Sequence, residues 1–151
     1  MTAVNHALTG TLIGLLVGQP LAAVPLAVGS HFVCDALPHF GTGLPDNILL
    51  KTKAFRNYLF ADAFLCFLLV CILALMRPEH WLLAAVCALA AASPDFLSIN
   101  RYWKTRRGLK WKPGRYVKFA SGIQWFERPI GAVVEIAWFI GAVVLLVPLL
   151  R

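Results

Sequence analysis

The sequence predicts an all-α integral membrane protein: a single transmembrane domain, residues 1–151, built as a bundle of about five transmembrane helices. Hydrophobic residues make up 60% of the chain and charged residues only 14%, which excludes an ordinary soluble domain. Five apolar segments approach the length of about 20 residues that a helix needs to cross the hydrocarbon core. They lack the period of two that membrane β-strands show, so we interpret them as helices.

The first apolar segment, residues 2–18, is the shortest of the five. No basic region precedes it and no small-residue cleavage site follows it, so we expect a retained helix rather than a signal peptide. Only residues 18–20 separate it from the second segment, 21–40, which predicts a tight hairpin. Gly10, Gly14 and Gly18 repeat every four residues and form a small-residue face on the first helix, which we expect to pack closely against the helix that follows.

The third, fourth and fifth segments cover residues 58–76, 81–100 and 129–150. Pro94 interrupts the fourth segment, because it removes one helical donor and leaves the carbonyl of Ala90 without its usual partner. A broken helix at membrane depth lines a cavity or a buried site. We therefore expect the end of the fourth segment to contribute to a functional site.

Two connections between the segments carry most of the basic residues. Residues 101–118 hold eight of the 14 basic residues and no acid, and Lys51, Lys53 and Arg56 lie between the second and third segments. Basic connections face the cytoplasm, and both of these fall on the same side of a five-span model. The N-terminus is therefore predicted to be cytoplasmic and the C-terminus to lie outside.

Histidines and carboxylates interrupt the apolar segments in one layer, within roughly 10 Å of the predicted cytoplasmic boundary at about 1.5 Å per helical residue. Such side chains ligate divalent metals, and ionisable residues inside membrane spans are read as functional. The candidate metal ligands are His6, His31, Asp35, His39, Asp95 and Glu127. The candidate catalytic carboxylates are Asp62 and Glu135, either of which would serve as a general base while the other binds the metal.

The second segment carries the strongest of these signals. His31, Asp35 and His39 repeat every four residues, which puts neighbouring members about one helical turn apart on the same face. Pro38 disturbs the end of this helix, so His39 is expected to lie beyond a kink.

Each candidate also has a purely structural interpretation. Asp95 can cap the backbone donors that the helix break exposes. Asp62 can pair with Arg56 or Lys53, and Glu127 can lie on the surface. The depth that these residues share is what favours a common site.

Three short motifs lie at these positions: NHALTG at residues 5–10, SHFVCDALPHF at 30–40 and SPD at 93–95. They resemble the THxxxG, sHxxxD and LPD elements of the bacterial membrane-bound metal-dependent hydrolases. The family's HRGxTHS element has no counterpart, since IQWFERP stands at 123–129. Glu127 and Glu135 would replace its ligands. The resemblance implies a multi-pass protein of the bacterial cytoplasmic (inner) membrane that performs metal-dependent hydrolysis.

These observations lead to one main hypothesis, a metalloenzyme that hydrolyses a lipid or a lipid-linked, phosphorylated substrate at the cytoplasmic interface. The mixed ligand set suits zinc, manganese or iron, as one ion or two, and the ion would lower the pKa of a bound water. Anionic lipid headgroups, rather than nucleic acid, are the expected partner of a basic stretch between two spans. The residues expected to bind those headgroups are Arg101, Lys104, Arg106 and Arg107.

Two other interpretations stay open. The same polar layer can serve a cation or proton transporter or channel, although a site in one leaflet differs from the midplane sites of transporters. A non-catalytic membrane adaptor would use the polar residues only to hold its helices together. The sequence also leaves open whether the chain forms a homo-oligomer.

Overall fold

The computed structural model describes residues 1–151, with the exception of the side chain of Asp46. In chain order the helices are α1 (Ala3–Val17), α2 (Pro20–Ala36), α3 (Asp46–Leu49), α4 (Lys53–Met76), α5 (Trp81–Ala92), α6 (Ile99–Arg106), α7 (Arg115–Ile123) and α8 (Gly131–Leu149). A 3₁₀ segment, Ser93–Ser98, joins α5 to α6. The predicted all-α class is therefore confirmed.

Three helical stretches are long and apolar enough to cross a membrane: Lys53–Met76, Trp81–Arg106 and Gly131–Leu149. The helices α1 and α2 are apolar but contain only 15 and 17 residues. Helices of that length extend about 22–26 Å, which is less than the hydrocarbon core of about 30 Å. Each predicted segment thus forms a helix, whereas a count of five spans and their orientation stay predictions.

The helix α2 ends earlier than the segment 21–40 predicted. Leu37 has an extended backbone and its N–H donates to the carbonyl of Cys34 at 3.2 Å, which closes the last turn. Pro38 explains this end, because the residue before a proline is driven out of the helical region. His39 accordingly lies beyond the helix and not one turn above Asp35.

The helix α1 lies at the centre of the bundle and contacts α2, α4, α5 and α8. The close packing predicted for its glycine face occurs, but against α5 and not against the hairpin partner α2. A Cβ atom at Gly14 would lie 2.5 Å from the Cα of Ala84, and one at Gly10 would collide with the carbonyl oxygen of Cys87. The absence of side chains at these glycines therefore sets the distance between α1 and α5.

The predicted break in the fourth segment appears as the 3₁₀ segment. The Ser93 hydroxyl donates to the carbonyl of Ala90 at 2.9 Å, which satisfies the acceptor that Pro94 leaves free. The hydroxyl of Tyr116 donates to the carbonyl of Pro94 at 2.9 Å and so ties α7 to the break. Burial, together with the nearby charge of Asp95, raises the pKa of the Tyr116 phenol, which keeps it a donor.

Candidate metal centre

Three of the predicted ligands meet at one end of the bundle. His6 comes from α1, His31 from α2 and Asp95 from the 3₁₀ segment. Their ligand atoms all lie within 4.8 Å of one another. Both imidazoles are buried, with exposures of 0% and 2%, whereas the side chain of Asp95 is 43% exposed. The group has the donor types that zinc, manganese and iron accept, with one ligand facing open space.

The hydrogen bonds of His31 identify which ring nitrogen is available to a cation. Its Nδ1 lies 2.9 Å from the carbonyl oxygen of Ala91, and because a carbonyl only accepts, Nδ1 carries the proton. In the neutral ring Nε2 then presents a lone pair. It lies 3.4 Å from Asp35 Oδ2 and 3.8 Å from Asp95 Oδ1. Three electron-rich atoms therefore face one another, an arrangement that favours a cation or a ring proton between them.

Asp35 connects the cluster to its surroundings. Its Oδ1 accepts from Nε2 of His6 at 3.1 Å and from the amino group of Met1 at 2.7 Å, and its Oδ2 accepts from the side-chain amide of Gln124 at 2.9 Å. Asp35 is itself buried, with an exposure of 4%. A carboxylate that orients a histidine in this way fixes the ring and its tautomer, as it does beside many metal ligands.

His6 retains a nitrogen without a partner. In the neutral ring that donates from Nε2 to Asp35, Nδ1 bears a lone pair, and this buried atom has no hydrogen-bond partner among the described residues. Leaving a buried polar atom unpaired costs about 1–3 kcal/mol. A bound cation would remove that cost, so the donor set of this cluster fits a metal.

The two predicted catalytic carboxylates are both buried, and each accepts hydrogen bonds from the backbone. Asp62 accepts from the N–H groups of Ala3 at 2.8 Å and Val4 at 2.9 Å, two donors that the start of α1 leaves free. Glu135 accepts from the N–H of Phe40 at 3.2 Å. Asp62 thus ties α4 to α1, and Glu135 ties α8 to the chain that follows α2.

His39 and Glu127 lie outside the group that could hold a metal. His39 is buried, and its Nδ1 lies 2.9 Å from the carbonyl of Leu37, to which it donates. Its backbone forms an isolated parallel β-bridge with that of Glu127, whose side chain is exposed. The backbone pairing joins the connection after α2 to the residues before α8.

Sequence reasoning assigned no role to Gln124, which follows α7 and reaches Asp35. Its position near the basic stretch was visible in the sequence, but no spacing linked it to the second helix. The packing of Phe119 against Phe32, with ring centroids 5.7 Å apart, brings α7 against α2 and so places Gln124 beside the cluster.

A cavity of about 840 Å³ extends between α4 and α5 and reaches this cluster. Its charged and amide side chains are Asp62, Asp95, Arg101, Gln124 and Glu127. Its apolar part is lined by Ala63, Cys66, Phe67, Val70, Ala88 and Leu89. The helices α4 and α5 run antiparallel on either side of a four-residue connection, so Asp62 and Asp95 lie at the same level. The apolar residues just named lie on one side of this level, and Leu50, Phe55 and Leu59 line the cavity on the other side. The cavity is therefore amphipathic, with apolar side chains on both sides of a charged level.

Three of the four residues predicted to bind headgroups lie over aromatic rings. The guanidinium carbons of Arg101, Arg106 and Arg107 lie 5.7, 5.9 and 5.1 Å from the ring centroids of Trp111, Tyr102 and Trp103. Lys104 belongs to the same helix, α6. Of the four, Arg101 is the one that lines the cavity. The cation–π contacts order these basic side chains beside the aromatic rings.

No family model matches the chain, and no curated protein or solved structure is similar to it. The resemblance to bacterial membrane-bound hydrolases thus stays a prediction. What the fold itself offers is a cluster of metal-ligand side chains at the charged part of an amphipathic cavity.

Proposed function

We propose that the protein is a membrane-embedded, metal-dependent hydrolase that acts on a lipid with an anionic, phosphorylated headgroup. One observation carries the proposal: Asp95 belongs both to the His6–His31 cluster and to the lining of the amphipathic cavity. The cluster of metal-ligand side chains therefore adjoins the cavity in which an apolar substrate would bind.

In this proposal the ion is held by His6, by Nε2 of His31 and by the carboxylate of Asp95. Asp35 holds the ring of His6, and Gln124 holds Asp35 in turn. When bound, the ion would lower the pKa of a water molecule and polarise a phosphoryl oxygen. Zinc, manganese and iron all accept this combination of imidazole and carboxylate.

Asp62 is the preferred general base of the two predicted carboxylates. It lines the cavity, whereas Glu135 is absent from the described lining. Two backbone N–H groups hold its carboxylate in place, and each oxygen keeps lone-pair capacity for a water on the cavity side. Arg101, also in the lining, supplies the positive charge that an anionic headgroup needs.

The decisive experiment combines metal analysis with a substrate screen. The full chain would be purified in detergent, its metal content measured by mass spectrometry, and its turnover of anionic phospholipids and isoprenoid phosphates followed by the released headgroup. We expect at least one divalent transition metal per chain and metal-dependent release. Protein that holds no such metal would contradict the proposal, and metal-driven ion flux in liposomes without lipid turnover would favour a transporter.

A further inference from the structure

We infer that the cavity between α4 and α5 takes up one hydrocarbon chain of an anionic lipid from the surrounding leaflet, and that small side chains along the cavity make the room for it. The inference rests on the proposed function, because it names what the same site selects. It concerns binding of the lipid's hydrocarbon chain, which can be measured without any hydrolysis.

Small side chains create the space for this chain. Ala63 and Cys66 on α4 face Ala88 on α5 across the cavity. None of these residues has an atom beyond the γ position, so the two helices leave a gap at this level. Larger residues, Phe67 and Leu89, form its border.

The border of the cavity is open to the surroundings of the bundle. Phe67 is 65% exposed and Leu89 is 59% exposed, and both belong to helical stretches that are long and apolar enough to cross a membrane. In a bilayer, hydrocarbon chains surround such residues. An extended peptide segment is a poor occupant at this depth, because its backbone polar groups would lack partners there.

The part of the cavity that extends from Asp62 to Val70 matches the depth of one leaflet. Asp62 marks its charged level and Val70 its far lining on α4, eight residues further along the helix. Eight helical residues extend about 12 Å, close to the roughly 15 Å that one leaflet contributes to a hydrocarbon core of about 30 Å. A chain from the same leaflet can thus lie in the cavity while its headgroup stays at the charged level.

The charged level selects the headgroup. Arg101 lines the cavity there and attracts an anion, while Asp62 and Asp95 repel one unless a cation lies between them and the headgroup. A soluble phosphate ester would contact only the charged level. A lipid would contact the charged level with its headgroup and the apolar part with its hydrocarbon chain. The dependence of binding on alkyl chain length therefore distinguishes a lipid ligand from a soluble one.

The test measures binding of alkyl phosphonates of increasing chain length, since their C–P bond resists hydrolysis. The full-length protein in detergent would be studied by native mass spectrometry, with and without a chelator. The wild-type protein should retain phosphonates that have long alkyl chains. Cys66→Phe should weaken binding of the longest alkyl chains about tenfold or more, because the phenyl ring would occupy the space that the alkyl chain needs, and should leave binding of the shortest alkyl chains within about twofold. The matched control is Val144→Phe on the outer face of α8, where residue 144 is 64% exposed, and it should bind like wild type.

Equal binding of all chain lengths, or equal effects of the two substitutions, would overturn the inference. A second measurement covers the case in which Cys66→Phe fails to fold. A phosphonate with a photoreactive group at its chain end should crosslink the wild-type protein near Phe67, Val70 and Leu89. Crosslinks spread evenly over exposed positions such as Phe64 and Leu68 would instead indicate ordinary annular lipid.

The two proposals fail in different ways. Chain-selective binding without metal-dependent hydrolysis would remove the hydrolase and keep the lipid cavity. Hydrolysis that ignores chain length would keep the hydrolase and remove the cavity's role. A dimer that buries Phe67 in a second copy of the chain would also overturn the inference.

Discussion

His6 and His31 stack face to face, with ring centroids 4.1 Å apart and planes inclined by 27°. Two imidazolium ions at that distance would repel each other by about 4 kcal/mol at an effective dielectric constant near 20. At most one ring is therefore protonated at moderate pH. The amino group of Met1 already supplies a positive charge to Asp35. A divalent cation between the two rings and Asp95 would supply one to the carboxylate of Asp95.

Removal of a ligand should remove the metal. His31→Ala deletes a ring nitrogen that faces Asp95, and we expect it to lose most of the metal found by mass spectrometry. Asp35→Asn keeps the shape of an orienting residue but weakens its hold on His6, and should lower metal affinity about 10–100-fold. His80→Ala is the control, because His80 lies beside Glu79 in the connection between α4 and α5. Equal metal content in all three variants would sink the assignment.

Asp62→Asn should separate catalysis from metal binding. We expect the variant to retain metal and lose lipid turnover, because an amide does not take a proton from water. It should also unfold at a lower temperature, since its NH₂ group faces a backbone N–H of α1 and leaves a buried donor unpaired, at a cost of about 1–3 kcal/mol.

Glu135→Gln is the matched control for that substitution. Its amide oxygen can still accept from the N–H of Phe40, so stability should change less than in Asp62→Asn. We expect metal and most of the turnover to persist. Full turnover in Asp62→Asn, measured beside this control, would leave Asp62 only its role at the start of α1.

The contact between α1 and α5 should tolerate no added methyl group. Gly10→Ala would place a Cβ against the carbonyl of Cys87, and we expect a loss of about 1–3 kcal/mol in thermal unfolding experiments in detergent. Gly29→Ala is the control, because nothing lies within 4 Å of a Cβ built there. It should be neutral or stabilising by up to about 1 kcal/mol. Similar stability of both variants would contradict the packing described for α1.

Labelling of the first hairpin should decide between five spans and three. Gln19→Cys places a thiol between α1 and α2. If both helices cross the membrane, a membrane-impermeant thiol reagent should label it from outside. A reporter fused after Arg151 should also read outside, and one within residues 107–114 should read cytoplasmic, since that stretch is basic. Labelling of residue 19 only after the membrane is opened would indicate a re-entrant hairpin.

Hydropathy predicted the helices well because a bilayer demands long apolar segments with internally satisfied backbones. The helical spacing of His31 and Asp35 also predicted a local relationship, and the two side chains do lie together. Both of these signals are contained within one segment, where geometry follows directly from sequence separation.

Relationships between segments were harder to predict. Nothing in the spacing of Gly10 and Gly14 says which helix is their neighbour, and α5 takes the place expected for α2. The contact of Gln124 with Asp35 depends on how α7 folds back on α2. The similar predicted depth of Asp62 and Glu135 led to the prediction that either is the general base. Their backbone partners depend on tertiary packing, which the sequence pattern does not reveal.

The contact of Gly10 and Gly14 with α5 also predicts which positions should stay glycine in homologous proteins. In any protein that keeps this helix packing, only glycine fits at positions 10 and 14, because a methyl group at either position would collide with the α5 backbone. Positions 29 and 141 carry no such restriction, since a Cβ there meets nothing within 4 Å. We therefore expect distant homologues to keep two glycines, four residues apart, in the helix that precedes the HxxxD motif of α2.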